Sequence, residues 1–473
     1  MTIDGSSNSP SKLRAARIEV LEEHRSVPSK KGSVICRIGD DIRINYEELR
    51  NLSLRQLDAI DLDLLMVCAS IGFADRNIRR ATLSWSRKLH LTVPVHERDR
   101  WSEQSVRDAL EDTLNYLTGD IWKFSFVQRE RPDPNIWQLF FSNLIPGEHI
   151  LFPYSGGLDS FAAKKLLEVR GDVKPFYITI ATSSLAKSVA KRTNSAPGCL
   201  HATIPIVYKK NDHPEPSSRT RTFLFFALTS LAARMNRSQK ILVAENGQGS
   251  LGPSLVPSGA EHPYVGTHPG FTMRFSQFMR TLWKMDIVQF DHPYVWFTKS
   301  ELLSELKTLG LASKWEETIS CPRDMKRHKG PMAPPHCGVC SNCFLRRFSA
   351  FNAGLSPIHG EHEYLWNNLC VGELSAALDG RSANRGTTDN DKKIALGGVL
   401  SHSHLAQFAY EVDTDGNSSF SQSVYELSRA LSMDGHLVSE RLRRLLLTHS
   451  KEWDAFLEAL PTGSWVKNYA GGA

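Results

Sequence analysis

The most informative stretch of this chain reads His149-Ile-Leu-Phe-Pro-Tyr-Ser-Gly-Gly-Leu-Asp-Ser-Phe161. The apolar run from His149 to Tyr154 predicts a buried strand, because such runs are typical of parallel sheets covered on both faces. A helix is predicted directly after it, since apolar residues fall on one helical stripe at Leu158, Phe161, Ala162, Leu166 and Val169. The glycine pair between the two elements lets the backbone turn tightly and approach a ligand.

This turn is a candidate phosphate site, because the first N–H groups of a helix have no helical partner and form the positive end of its dipole. The common Gly-x-x-x-x-Gly-Lys-[Ser/Thr] nucleotide motif is absent from the sequence. A plain Gly-Gly turn capped by a Ser or Asp side chain would explain the helix start but not the whole hexamer. The residues predicted to bind the nucleotide are Ser155, Gly156, Gly157, Leu158, Asp159 and Ser160.

The Ser-Gly-Gly-x-Asp-Ser pattern after a first strand resembles the PP-loop of the N-type ATP pyrophosphatases. The resemblance implies a parallel-sheet α/β core and an enzyme that uses ATP and Mg²⁺. Enzymes of this superfamily cleave ATP between the α and β phosphates and usually transfer AMP to a carbonyl or carboxylate oxygen. On this resemblance the hydroxyls of Ser155 and Ser160 hold the phosphates, and Asp159 positions the magnesium ion or the turn itself.

Four cysteines form the second motif, at Cys321, Cys337, Cys340 and Cys343. The Cys-x-x-Cys-x-x-Cys run can place three thiolates round one ion, and Cys321 returns as the fourth ligand across a loop rich in proline and glycine. Four thiolates fill a tetrahedral zinc site and leave no position for water, so the zinc is predicted to be structural. An iron–sulfur cluster and a redox disulfide are the alternatives.

Strand and helix patterns alternate between the two motifs, which predicts a parallel sheet covered by helices. Ligands of such sheets bind beyond the carboxyl ends of the strands. Three stretches that follow predicted strands are therefore expected to share the site: the Ser155–Ser160 turn, the loop after Ile180, and Glu245-Asn-Gly-Gln-Gly249.

The order of four motifs narrows the resemblance to the 7-cyano-7-deazaguanine synthases. After the glycine turn come Arg219-Thr-Arg221-Thr222, then Pro293-Tyr-Val-Trp296 with Lys299, and last the cysteine knuckle. The resemblance covers Glu148 to Ala353. It implies that ATP activates 7-carboxy-7-deazaguanine as an acyl-adenylate, which ammonia converts to an amide and a second activation dehydrates to the nitrile.

The catalytic residues expected on this resemblance are Asp159, Ser160, Arg219, Arg221 and Glu245. The two arginines would neutralise the charge that builds as the carboxylate attacks the α-phosphate, a task that suits a planar, permanently charged group. A salt bridge at the entry of the following helix would explain them equally well. Glu245 would bind magnesium or the amino edge of the deazaguanine.

The chain also departs from the family. Leu158 stands where the family has glutamine, and the sequence after Glu245 runs through a long Pro/Gly/His stretch to Gly270. The predicted organisation is a disordered tail over 1–30, an N-terminal α+β accessory domain over 31–147, a PP-loop catalytic domain over 148–355 with the zinc knuckle at 321–343, and a helical C-terminal extension over 356–473.

With these additional regions the chain resembles enlarged members of the family that are encoded in bacterial anti-phage defence operons. That resemblance implies transfer of the activated deazaguanine carboxylate to an amine on a partner protein from the same operon. Three alternatives stay open: an ordinary nitrile synthase that uses ammonia, a tRNA-modifying PP-loop enzyme, and a catalytically inactive nucleotide-binding scaffold.

Composition excludes fewer classes of function than the motifs do. The formal net charge of +6 over 473 residues is small and spread along the chain, which argues against a direct nucleic-acid partner. The most apolar window, Phe223 to Ala233, is too short to span a bilayer, so no membrane association is expected. Met1 to Lys31 is polar and lacks an apolar signal core, which predicts a cytoplasmic protein.

Overall fold

A computed structural model describes most of the chain. The described residues are 15–22, 32–45, 57–81, 85–130, 149–171, 174–179, 200–203, 206–209, 214–215, 217–238, 240–257, 261–285, 289–321, 336–358, 364–379, 386–412 and 418–471. Residues 1–14 and 23–30 of the predicted tail, the loop after Ile180 and residues 322–335 of the predicted knuckle lie outside these ranges.

The region that precedes the core contains strands β1 (Ala16–Leu21), β2 (Ser33–Arg37), β3 (Ile42–Ile44), β4 (Lys88–Val95) and β5 (Ile121–Gln128), with helices α1 (Ala59–Asn77), α2 (Arg98–Ser102) and α3 (Gln104–Thr118). The core follows with β6 (His149–Pro153), α4 (Leu158–Arg170), β7 (Lys174–Thr179), β8 (Leu200–Thr203), β9 (Ile206–Tyr208), α5 (Arg221–Met235), β10 (Lys240–Leu242), α6 (Gly247–Ser250), α7 (Gly252–Leu255), α8 (Pro269–Trp283), β11 (Gln289–Asp291), α9 (Lys299–Thr308) and α10 (Ser341–Asn352). The C-terminal region is helical, with α11 (Asp389–Glu411), α12 (Ser418–Leu431), α13 (Gly435–Glu458) and α14 (Trp465–Ala470).

The core sheet has five strands in the order β11-β10-β6-β7-β8, and every neighbouring pair is parallel. The strand order reverses at β6, because β7 and β8 follow it on one side while β10 and β11 lie on the other. This is the topology of a doubly wound sheet, whose ligands bind at the reversal point. The predicted α/β class with parallel strands is confirmed.

The N-terminal sheet corrects two expectations. Its order is β2-β1-β4-β5 with all strands parallel, so this region is α/β and the predicted α+β arrangement is wrong. Strand β1 lies inside the segment predicted to be a disordered tail, so that prediction is wrong for Ala16–Leu21. Its charged residues Arg17 and Glu19 alternate with buried Ile18 and Val20, and the strand is ordered by pairing on both sides.

Two short strands, β8 and β9, lie between β7 and α5 in the chain. Strand β8 stays in the core sheet, whereas β9 pairs antiparallel with β3 of the N-terminal region. Pro205 stands between them in the sequence and lacks the amide N–H that a continuous sheet ladder needs. The β3–β9 ribbon therefore connects the N-terminal region to the core.

One hydrophobic cluster serves both sheets. It includes buried residues of β1, β4 and α3 together with those of α5 and α8. Trp101 packs against Phe278 of α8 with ring centroids 6.3 Å apart. Hydrogen bonds also join the two regions, since Thr220 donates from its N–H and its hydroxyl to Asp75 of α1, at 2.9 and 3.0 Å. The N-terminal region is thus packed into the core.

The helical C-terminal region packs on the cysteine knuckle and on the loops that follow β10 and β11. Helix α11 contacts α10 and α13, and a hydrophobic cluster joins Phe344 and Phe348 of α10 to Trp453 and Phe456 of α13. The predicted helical nature of this region is confirmed. In the part of the chain that the structure describes, no helix has the length and apolar character needed to cross a membrane.

Candidate active site and metal centre

The glycine turn lies at the point where the strand order reverses. It follows the carboxyl end of β6, and the Glu245–Gly249 loop follows the carboxyl end of the neighbouring strand β10. Because parallel strands end at the same edge of a sheet, the two loops are adjacent there. The structure brings together two of the three stretches that the sequence placed at one site.

The turn directs a group of backbone amides away from the strand. Gly156 has a φ of +73°, a conformation that residues with a side chain rarely adopt. Gly157 then caps α4 in an extended conformation, and the first internal bond of the helix runs from the N–H of Phe161 to the carbonyl of Gly157 at 2.9 Å. The amides of residues 158–160 precede this bond and form the anion-binding end of the helix.

Two hydroxyls flank these amides. The Oγ atoms of Ser155 and Ser160 lie 3.3 Å apart, and Ser160 donates to the carbonyl of Gly157 at 2.9 Å. Neutral hydroxyls beside amides that have no partner within the helix suit a phosphate group, which accepts hydrogen bonds from both kinds of donor. The turn therefore fits the phosphates of a nucleotide.

A charged cluster connects the loops after β6, β10 and β11. Asn246 donates from Nδ2 to Asp159 Oδ1 at 2.7 Å and approaches Glu245 Oε1 at 3.3 Å. Lys299, at the start of α9, forms an ion pair with Asp159 Oδ2 at 2.9 Å, and its side chain is 5% exposed. Carboxylate oxygens are the ligands that Mg²⁺ prefers, so Asp159 and Glu245 are the residues that could hold this ion. The lysine supplies a fixed positive charge beside them.

Burial raises the pKa of the Glu245 carboxyl to about 8, and the negative charge of Asp159 contributes, while Lys299 opposes the shift. The side chain lies against Gly249, where an added Cβ would stand 2.1 Å from Glu245 Oε1. Glu245 therefore changes its protonation state near neutral pH, which is a property that proton-transferring groups require.

The Glu245→Gln variant is expected to gain stability at alkaline pH. Because the folded-state pKa of about 8 lies above the unfolded value of 4.5, folding favours the protonated form. The stability associated with this group is intact below pH 4.5 and is lost as the pH rises through about 8. We expect the variant to melt several degrees above the wild-type protein at pH 9 and at the same temperature at pH 5. Thermal unfolding at both pH values measures this.

The matched control for that comparison is Glu305→Gln, a substitution of the same type on the exposed face of α9. It should leave the difference between the two pH values unchanged. Equal stabilisation of Glu245→Gln at pH 5 and pH 9 would contradict the raised pKa.

The four predicted metal ligands come together. The Sγ atoms of Cys321, Cys337, Cys340 and Cys343 all lie within 4.8 Å of one another, and those of Cys337 and Cys343 are 3.7 Å apart. Four sulfurs at about 2.3 Å from one zinc ion would be about 3.8 Å from each other. The donor set and its spacing fit a tetrahedral zinc ion, which would fill every position and leave none for a substrate.

Burial raises the pKa of the Cys343 thiol well above its usual range, so a cation is needed to hold its thiolate form. The cluster is the only group of three or more His, Cys, Asp or Glu ligand atoms found among the residues that the structure describes.

The cysteine cluster is connected to the glycine turn by two residues. The N–H of Ile319 donates to the carbonyl of Gly156, and the N–H of Leu158 donates to the hydroxyl of Ser320, both at 3.3 Å. Cys321 follows directly in the chain. A metal bound at Cys321 would therefore hold the segment that contacts the phosphate turn.

The structure does not connect Arg219 and Arg221 with the turn. Arg219 forms an ion pair with Glu261 at 3.2 Å and lies over the ring of Trp85 at 4.6 Å. Arg221 is exposed and lies over Phe225 of its own helix at 5.3 Å. Neither guanidinium hydrogen-bonds to residues 155–160 within the described ranges. The bonds from Thr220 to α1 draw this segment towards the N-terminal region, which the sequence could not indicate.

Three residues of the site have no individual function predicted from the sequence. Lys299 enters it only as part of a motif, and Asn246 and Ser320 do not stand out from their neighbours. For Lys299 a signal existed, because it follows Thr298, which caps α9, and the loops that follow strands face the ligand in parallel sheets. For Ser320 the only signal in the sequence is its position next to Cys321, a predicted metal ligand.

No protein-family model matches this chain, and no curated protein or solved structure matches it either.

Proposed function

We propose that the protein is an ATP-dependent ligase that forms AMP and pyrophosphate. The observation that carries this proposal is the ion pair between Asp159 and Lys299 beside Glu245, at the glycine turn where the strand order reverses. A phosphate-binding turn together with two carboxylates for Mg²⁺ and one buried cation supplies what a nucleotidyl transfer requires. Such a reaction depends on alignment and on stabilisation of charge, so no protein nucleophile is needed.

In the first step a carboxylate oxygen of the substrate attacks the α-phosphorus of ATP. The new P–O bond forms as the bond to the β-phosphate oxygen breaks, and the electron pair leaves with pyrophosphate. The turn amides hold the phosphates, and Lys299 offsets the charge that builds on them. Asp159 and Glu245 would hold Mg²⁺, which would supply positive charge beside the phosphates.

In the second step an amine attacks the acyl carbon of the adenylate. The C–N bond forms, AMP departs with the electron pair of the C–O bond, and the amine nitrogen loses a proton. Once pyrophosphate has left with Mg²⁺, the Glu245 carboxylate would be free to accept this proton, and burial, which raises its pKa to about 8, favours the protonated form. The product is an amide.

The substrate that we propose is 7-carboxy-7-deazaguanine or a close relative. The motif order Ser155–Ser160, Pro293–Trp296 and the four cysteines, which resembles the 7-cyano-7-deazaguanine synthases, supports this choice. The proposed acceptor is an amine on a partner protein from the same operon, in anti-phage defence. Contact of the C-terminal helix α13 with the loop that carries Glu245 supports a site altered for an acceptor larger than ammonia.

The test is conversion of ATP to AMP by the purified, zinc-loaded protein, with and without 7-carboxy-7-deazaguanine. We expect AMP formation to depend on the deazaguanine and to be lost in Asp159→Asn, which keeps the size of the side chain. Co-expressed operon neighbours are then examined by mass spectrometry for an adduct of one deazaguanine carbonyl group.

The products separate the alternatives. A nitrile formed from ammonia alone identifies an ordinary synthase, and modification of added tRNA identifies a nucleic-acid enzyme. Absence of AMP with every acceptor, at full nucleotide binding, identifies a scaffold and overturns the proposed function.

A further inference from the structure

The C-terminal helix α13 contacts the loop after β10, which carries Glu245, and the loop after β11, which leads to Lys299. Arg444 donates to the carbonyl of Trp296 at 2.7 Å and to Glu301 Oε1 at 2.6 Å. Leu445 packs directly on Gly247, where an added Cβ would lie 2.5 Å from its Cδ2 atom. The loop after β10 therefore has a glycine where Leu445 packs against it.

Gln248 joins this helix to Lys299. Its Oε1 accepts the N–H of Lys299 at 2.8 Å, so its amide nitrogen faces α13. There Nε2 lies 2.9 Å from His449 Nδ1 and 3.3 Å from Glu452 Oε2. His449 in turn donates from Nε2 to the carbonyl of His402 at 3.0 Å, which leaves Nδ1 as the acceptor for Gln248. The orientation of the Gln248 amide is thus set from both sides.

The bond to Gln248 satisfies an amide that the helix itself leaves without a partner. Lys299 is the first residue of α9, and the first N–H groups of a helix have no partner within it. The preceding residue, Thr298, donates from its hydroxyl to Glu452 Oε1 at 2.5 Å. Helix α13 therefore binds the Thr298 side chain directly and the Lys299 N–H through Gln248, and the side chain of Lys299 reaches Asp159 from this position.

All the members of this network are buried, with exposed fractions of 5% for Gln248, 0% for His449 and 9% for Glu452. Apolar side chains of similar size would pack two helices and a loop at a lower desolvation cost. Unlike apolar packing, a buried polar network fixes one geometry, because its hydrogen bonds are directional.

We infer that α13 sets the position of Lys299 for the reaction, with Gln248, His449 and Glu452 as positioning residues. This inference rests on the proposed function for its chemical consequence, although the position of Lys299 itself can be measured without turnover. It gives the C-terminal extension a role in the site, since α13 binds both Gln248, which accepts the Lys299 N–H, and Thr298, which precedes Lys299.

The test uses two variants of the full-length, zinc-loaded protein. Gln248→Met conserves volume and removes the acceptor for the Lys299 N–H, whereas Glu452→Gln keeps the contact to Thr298 but sets an amide donor against Gln248. Hydrogen exchange of the Lys299 amide, resolved by NMR or by fragmentation in the mass spectrometer, is expected to quicken roughly tenfold or more in Gln248→Met and less in Glu452→Gln. The kcat for AMP formation should fall about thirtyfold in Gln248→Met with the KM for ATP unchanged.

The matched control is Trp453→Phe, which removes a hydrogen bond from the same helix to Ser403 and keeps the hydrogen bonds of Gln248 and Thr298. It should lower the melting temperature and leave both the Lys299 exchange and kcat within about twofold of wild type. Unchanged exchange in Gln248→Met overturns the inference, as does a fall in kcat no larger than that of the control.

A failure of the proposed function gives a different pattern. In that case the wild-type protein forms no AMP, while the exchange of the Lys299 amide still quickens in Gln248→Met. The positional part of the inference then stands, and the assignment of the reaction falls.

Discussion

Replacing Cys343 with serine is expected to remove the bound metal and to lower the stability of the protein more than substitution of any residue outside the cluster of four cysteines. The Cys343 side chain is fully buried, and its sulfur lies 3.7 Å from that of Cys337 in the cluster that fits zinc. Structural zinc sites contribute on the order of 10 kcal/mol to the folding of small domains. Metal content by elemental analysis should fall from one zinc ion per chain to none, and the melting temperature should fall with it.

The control substitution is Cys370→Ser, which changes a cysteine of the same hydrophobic cluster that is not part of the metal-binding set. It should keep the full metal content and melt close to the wild-type protein. Cys343→Ser protein that retains one tightly held zinc ion and its melting temperature would contradict the structural role of the cluster.

Chelation of the metal from the wild-type protein should also weaken nucleotide binding. The bonds from Ile319 to Gly156 and from Leu158 to Ser320 join the knuckle segment to the turn, so loss of the metal frees the segment that supports the turn. Titration with ATP by calorimetry, before and after chelation, measures this without any turnover.

Replacing Lys299 with methionine is expected to lower the kcat for AMP formation by roughly 10² to 10³, the loss seen when one charged or hydrogen-bonding group is removed from a transition state. The methionine keeps the length of the side chain but leaves Asp159 and Glu245 without the cation that now offsets them. Nucleotide binding should weaken much less, because the turn amides remain. Rapid-quench measurement of AMP and pyrophosphate under saturating ATP distinguishes the two effects.

Lys307→Met provides the comparison on the same helix. Its ammonium group donates to the carbonyls of Ala353 and Gly354 at 3.2 and 2.8 Å, so its loss affects packing at the end of α10 and not the site. We expect the Lys307 variant to keep the wild-type kcat. A Lys299→Met enzyme with a kcat within a few-fold of wild type would remove this residue from the mechanism.

Much of the core could be predicted from the sequence because its signals are local. The apolar run before the glycine turn predicted β6, and the alternating residues of Lys88–Val95 and Ile121–Gln128 mark β4 and β5. The cysteine spacing predicted the cluster of four sulfurs for the same reason, since three of its members lie within one short run. In each case the residues that determine the structure are close together in the chain.

The features that the sequence did not predict depend on partners far away in the chain. Strand β1 resembles a charged tail until its pairing with β2 and β4 is known. Strand β9 leaves the core sheet because β3 offers it an edge. Motif order predicts Arg219 at the site, whereas the contacts that the structure gives for this segment are those of Thr220 with Asp75 and of Arg219 with Trp85 and Glu261. No local pattern carries this information.

The hydrophobic cluster shared by the two sheets has a consequence for how the chain unfolds. Residue 148 separates two units in the sequence, but Trp101 on one side of it and Phe278 on the other belong to the same buried cluster. Neither unit can lose its order without exposing apolar surface of the other, at roughly 25 cal/mol for each Å² uncovered. The N-terminal region and the core therefore share one cooperative unfolding equilibrium, and damage to the first reduces the folded population of the second.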